Sequence, residues 1–148
     1  MGTSEASVAF FGATSLLARE MRALMAGRVF RTRGVKLYDT TGEGTLGEYD
    51  GEALVVTRPD EEEILDLDIA FLCGSPREME PYLDWPARRG YMAIDLSGVS
   101  RGRDGVPLVH TEINPAEIGG TTGGAGAAGL IGAPHPVSHN LSSLLNAL

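Results

Sequence analysis

The chain of 148 residues is poor in cysteine, in lysine and in aromatic side chains, which make up 6% of it. A single cysteine, Cys73, excludes an internal disulfide framework and a cysteine-rich zinc site. Lysine occurs once, at Lys36, and the arginines are scattered. With 12 Lys+Arg against 20 Asp+Glu and a net charge of −8, the clustered positive charge that a phosphate backbone requires is missing, which excludes a nucleic-acid partner. No apolar run approaches the roughly 20 residues needed to span a bilayer. Met1–Ala6 lacks the basic region and apolar core of a signal peptide. These absences predict a cytoplasmic protein without a membrane partner. A hydrophobic content of 43% and a charged content of 22% suit one globular domain with a proper core.

The most informative stretch that is present runs from Val8 to Met21. Val8–Phe11 is an apolar strand, Gly12 a turn, and Ser15–Ala26 a helix with Leu17, Met21, Leu24 and Met25 on one face and Arg19, Glu20 and Arg22 mostly away from it. A strand, a glycine turn and a helix start are the opening of a dinucleotide-binding fold, in which free N–H groups of the first helical turn face a pyrophosphate. The glycine pattern is incomplete, because Ser15 and Ala18 stand where a Gly-x-x-Gly-x-x-Gly turn has its second and third glycines.

The rest of the chain alternates strands with helical patterns. Val35–Asp39, Ala53–Thr57, Asp68–Cys73, Tyr91–Leu96 and Leu130–Pro134 read as strands, and Val106–Val109 as a short extended piece. The acidic run Asp60–Glu63 reads as a solvated helix start rather than a metal site. Ser75-Pro76-Arg77-Glu78 is a strong helix start, and Pro81 and Pro86 keep that helix short. Asn114-Pro115 offers another N-cap, and Gly119–Gly129 reads as a mobile loop that lacks the Lys-Ser/Thr of a P-loop. Ser138 is the expected N-cap of a final amphipathic helix carrying Leu141, Leu144, Leu145 and Leu148.

This alternation predicts an α/β fold: a Rossmann-like, doubly wound, mainly parallel sheet with helices on both faces and ligands at the carboxyl ends of the strands. Gly12, Thr14, Ser15 and Leu16 in the first turn, Asp39 after the second strand and Gly74 after Cys73 are the candidate dinucleotide contacts. Asp39 serves either as acceptor for the adenosine ribose, favouring NAD over NADP, or as a turn-initiating residue.

Together these landmarks resemble the NAD(P)-binding domain of the aspartate-semialdehyde dehydrogenase family. Gly12-Ala13-Thr14 is similar to its opening Gly-Ala-Thr-Gly turn. Ala93–Gly98 resembles its Val-Ile-Asp-Asn-Ser-Ser ending of strand five, and Val106–Pro115 its run Val-Pro-Leu-Val-Val-Pro-Glu-Val-Asn-Pro. The resemblance implies that Arg101 binds the phosphate or carboxylate of a substrate. It also implies hydride transfer with a nicotinamide cofactor through an acyl-cysteine intermediate. In the family that cysteine lies in Asn-Pro-Asn-Cys-Ser/Thr at a helix start, where the dipole favours the thiolate. The matching run here is Ala133-Pro134-His135-Pro136-Val137-Ser138, with Pro136 at the nucleophile's place. No catalytic residue is therefore expected, and the chain looks most like paralogues that keep the fold without the cysteine.

Cys73, in an apolar strand, reads as core rather than as a substitute. Ser138-His139 is not a dyad, because adjacent helical residues diverge. His135 and His139 lack a third metal ligand, and His110 reads as packing beside the sheet. The resemblance also implies a second, catalytic and dimerising domain beyond residue 148. The apolar ending Leu144–Leu148 reads as a cut, and a homodimer stays possible. The expectation is a dinucleotide-binding domain that is catalytically silent, with a regulatory module holding an anionic metabolite at Arg101 as the alternative.

Overall fold

The structure is a computed structural model that describes residues 5–26, 31–120 and 129–146. Among these, seven strands form one sheet in the order β3-β4-β2-β1-β5-β6-β7. They are β1 (Ala6–Phe11), β2 (Thr32–Tyr38), β3 (Leu46–Tyr49), β4 (Glu52–Thr57), β5 (Ile69–Leu72), β6 (Met92–Asp95) and β7 (Gly129–Gly132). All pairings are parallel except β3 with β4, which form an antiparallel hairpin at the edge. With that hairpin's outer strand set aside, the order is the doubly wound one, and it reverses direction between β1 and β5.

Alternation along β1 builds the two cores. Val8 and Phe10 point to one face, where they pack with Ala18, Leu37, Val56 and Phe71. Ala9 and Phe11 point to the other, with Tyr38, Leu72, Tyr82 and Tyr91. Phe11 meets Tyr38 and Tyr82 at ring distances of 5.1 Å, and Trp85 caps the group edge-on. The first face is covered by α1 (Leu16–Met25). The second is covered by α2 (Pro76–Met79), a 3-10 turn (Glu80–Tyr82) and α3 (Trp85–Arg89), a helical stretch broken into pieces by its prolines as expected.

Several expectations are corrected. The helix α1 keeps part of the face predicted for it, since Met21 and Met25 pack against the core. Ala18 and Arg22 are its buried residues, whereas Leu17 and Leu24 are 40% and 54% exposed. The strand β3 was not anticipated, because its side chains alternate between exposed and half-buried and leave no apolar pattern. Its signal was Asp50-Gly51, a two-residue hairpin turn in which both residues have positive φ, 51° and 81°. Asp60–Glu63 forms a turn, not a helix start, with Asp60 Oδ1 accepting the Glu62 N–H at 2.9 Å. Asn114 does not cap a helix. Its side chain accepts the His110 N–H and donates to the Leu108 carbonyl, and the short α4 (Glu117–Gly120) begins beyond it.

The last helix, α5 (Pro136–Asn146), starts three residues earlier than a cap at Ser138 would place it. His135 Nδ1 accepts the Val137 N–H at 3.2 Å, so Ser138 is inside the helix and is not its cap. Its leucines are exposed: Leu141, Leu144 and Leu145 at 55%, 61% and 70%. His110 is buried next to Val109, which bonds to β7, and it also meets α5: its ring stacks on His139 at 4.1 Å, and its Nε2 lies 3.1 Å from Ser143 Oγ. The centre of the glycine-rich run, 121–128, lies outside the described residues.

Candidate functional site

The turns that follow β1, β2, β5 and β6 meet at the carboxyl edge of the sheet. Gly12 takes φ +68°, a left-handed conformation that favours glycine, and a Cβ there would stand 2.4 Å from the Gly74 backbone nitrogen. Only bare backbone lets these two turns pass. Within the first turn, Ser15 N–H donates to Gly12 O (3.0 Å), and the Ser15 hydroxyl accepts the Ala18 N–H (3.1 Å) while donating to Cys73 O (2.9 Å). The hydroxyl read as a possible phosphate ligand is thus the helix cap and a tie to β5. Ala18, completely buried, is small enough for α1 to lie close on the sheet, as the third glycine of the pattern would allow.

Inside this network the N–H groups of Leu16 and Leu17 find no acceptor among the described residues. They are orphan donors at the positive end of a helix dipole, on an exposed edge at the point where the strand order reverses. Such an arrangement is electrostatically suited to an anion.

Asp39 is buried at the end of β2. Its Oδ2 accepts the Thr14 N–H (3.0 Å) and hydroxyl (2.6 Å), and its Oδ1 accepts the Thr41 N–H (2.9 Å) and hydroxyl (2.8 Å). Burial would raise its pKa, but the bonds from Thr14 and Thr41 together outweigh burial and bring it down to about 2. The carboxylate is therefore ionised and already engaged. It locks the second turn onto the first, and a ribose hydroxyl would have to share or displace one of these bonds.

Asp95 performs the same task one turn further on. It is fully buried, with Oδ1 accepting from Ser97 and Gly98 and Oδ2 from the Ser100 N–H (2.8 Å) and hydroxyl (2.6 Å). The loop it shapes presents Arg101, whose Nε donates to Ala133 O at 3.1 Å, at the end of β7. The guanidinium lies across Gly98 (φ +84°), where a Cβ would come within 2.5 Å of Nη1. No carboxylate among the described residues pairs with Arg101. The Val106–Val109 run supports this loop by exchanging backbone bonds with Gly132 at 2.9 Å.

The run matched to the family nucleophile begins α5, with Pro136 as its first residue. Cys73 is buried, and burial pushes its thiol up to about 12 despite the opposing influence of Arg22. It remains a thiol at neutral pH.

Residues 7–121 match the family described as semialdehyde dehydrogenase, NAD binding domain. The chain belongs to this family. Two curated relatives, the aspartate-semialdehyde dehydrogenases of Corynebacterium glutamicum and Corynebacterium melassecola, are each 29% identical over 115 residues, covering 75% of this chain and 33% of theirs. The chain therefore spans about a third of the length of the curated relatives it matches. Aspartate semialdehyde dehydrogenase II from Vibrio cholerae, solved in complex with ASA, superposes with a TM-score of 0.83 at 23% identity over 96% of this chain and 45% of that one. The Candida albicans enzyme solved with NADP gives 0.68 at 16% identity, over 97% and 48%. The fold is that of the family's nucleotide-binding domain, as the doubly wound order had indicated. No helix among the described residues is long and apolar enough to cross a membrane.

Sequence reasoning missed one functional-looking group. Arg22, expected to face solvent, is 6% exposed, and its Nη1 donates to the carbonyl of Ala13 in the first turn at 2.9 Å. The only available signal was its i, i+4 relation to Ala18.

Proposed function

We propose that this domain binds a dinucleotide along the carboxyl edge, as the cofactor-binding part of a semialdehyde-dehydrogenase-like oxidoreductase. The pair of unclaimed N–H groups at Leu16 and Leu17, beside the Gly12–Gly74 crossing, carries this reading, because it offers a pyrophosphate two donors and a helix dipole. Gly12, Thr14, Ser15 and Gly74 shape the turn that presents them. Asp39 favours NAD over NADP through its charge, since an ionised carboxylate repels a 2′-phosphate and Thr40–Gly44 contains no cation to attract one. Arg101, with no carboxylate partner among the described residues, holds the anionic group of a substrate.

The segment itself supplies no acyl-forming nucleophile in this reading. Pro136 has none to offer, and the Cys73 thiol is buried and protonated. The domain alone is therefore silent toward aldehydes. Calorimetric titration with NAD and, separately, NADP tests the proposal. Saturable binding with NAD preferred, and loss of that preference in Asp39→Ala, is the expected result. Absence of heat and of thermal stabilisation with either cofactor overturns it. The unpaired guanidinium of Arg101 favours a second reading in that event: an anion-binding module whose affinity for a small carboxylate falls in Arg101→Gln.

A further inference from the structure

A groove of about 950 Å³ runs along the outer flank of α1, between that helix and the β3–β4 hairpin. It meets the candidate dinucleotide residues only at Thr14, and it takes in neither Gly74 nor Asp39. One wall is α1, through Arg19, Arg22, Ala23 and Ala26; the other is the hairpin, through Leu46–Gly51. Such a volume suits a small organic ligand.

Arg22 gives the groove its chemistry. Its guanidinium is held by Nε to Glu48 O (3.1 Å) and Nη1 to Ala13 O (2.9 Å), and it lies 5.7 Å from the centre of the Phe10 ring. Both hydrogen-bond partners are neutral carbonyls. No carboxylate among the described residues is within ion-pair reach, and Arg19, one turn back on the same wall, adds a second positive charge. A buried cation without a counter-ion is costly, and the cost is relieved when an anion enters beside it. Nη2 takes no part in the two carbonyl bonds and lies on the hairpin side, 3.8 Å from where a Cβ on Gly47 would stand. A Cβ there would also stand 2.4 Å from Leu37 Cδ1, so the glycine lets the hairpin close over the core beside the arginine. Beyond the arginines the lining turns apolar, with Ala23, Ala26, Leu46, Ala53 and Val56. Glu48 and Asp50 on the hairpin disfavour a ligand charged at both ends.

We propose that this groove is a second ligand site, separate from the dinucleotide edge, for a small organic oxyanion. Its carboxylate or phosphate sits between Arg19 and Arg22, and its apolar body lies along Ala23 and Ala26 toward Tyr49. The site does not depend on the nucleotide reading, and the two fail separately.

The test follows backbone amide shifts of the labelled protein during titration with phenyl phosphate and with benzoate. Inorganic phosphate, which lacks the body, and benzyl alcohol, which lacks the charge, are the controls. Saturable shifts at Ala23, Gly47 and Ala53, stronger for both aromatic anions than for either control, are expected. Phenyl phosphate binding tighter than benzoate would identify a phosphate ester as the ligand, and the reverse order a carboxylate. Arg19→Gln weakens binding about tenfold, the loss of one charge-assisted contact. Ala23→Leu fills the groove from an exposed helical position and abolishes binding while NAD titration is unchanged. Shifts confined to Leu16, Leu17 or Arg101, equal response to benzyl alcohol, or undiminished binding in Ala23→Leu would each overturn the proposal.

Discussion

Two aspartates carry the carboxyl edge. Asp39 and Asp95 each stand where a strand ends, and each accepts the N–H and hydroxyl of a following Thr or Ser, with Asp39 also taking those of Thr14. Asp39 is held at a pKa of about 2, against an ordinary value of 3.8, so the folded state prefers the ionised form. Its contribution to stability is therefore complete above roughly pH 5 and is lost as pH falls through 4 toward 2, amounting to about 2 kcal/mol. Urea unfolding of the wild type and Asp39→Asn at several pH values checks this. The variant is weaker at pH 7 and less sensitive to acid, and equal acid sensitivity would count against the Thr14–Asp39–Thr41 network. The strand-ending position of Asp39 was plain from the sequence. Its partners were not, because Thr14 is 25 residues away and only the sheet brings them together. Arg22 shows the same limit. A helical wheel weighted toward leucines turned it outward, whereas small Ala18 let the helix approach and the Arg22 guanidinium lie over the Phe10 ring.

Among the elements, the strands and the one cap at Ser75 were the most legible parts. Apolar runs gave β1, β5 and β6 nearly residue by residue, and Ser75–Glu78 gave the start of α2, where the Glu78 carboxylate accepts the Ser75 N–H (2.9 Å) and hydroxyl (2.6 Å). The β3–β4 hairpin was not, since its stability comes from turn geometry and cross-strand pairing rather than from an apolar face. Two glycines separate these causes. At Gly51, φ is +81° but nothing lies within 4 Å of an added Cβ, so Gly51→Ala costs about 1 kcal/mol in backbone strain. At Gly12 the strain is joined by contact with the Gly74 backbone, and Gly12→Ala costs about 3 kcal/mol or more and distorts the turn that presents the Leu16 and Leu17 amides. Denaturation midpoints rank the two. Comparable losses would show that the Gly12–Gly74 crossing is not tight.

For the molecule as a whole, ligand binding is the sharpest probe of the edge. If NAD binds only the folded domain, a hundredfold excess over its dissociation constant stabilises the fold by about 2.7 kcal/mol. A melt that rises with NAD and less with NADP at equal concentration is the expected outcome, and coincident curves would remove the role given to Asp39. Hydrophobic alternation, glycine turns and a proline in place of a nucleophile are properties of neighbouring residues. They were enough to establish the doubly wound class, the glycine turn after β1 and the family. Which groups meet across that edge was settled by packing. The engagement of the Ser15 hydroxyl, the openness of the Leu16 and Leu17 amides, the pairing of Thr14 with Asp39 and the burial of Arg22 all depend on contacts between segments far apart in the chain. Such contacts have no period to read, because strand order and helix rotation set them only after the sheet has formed.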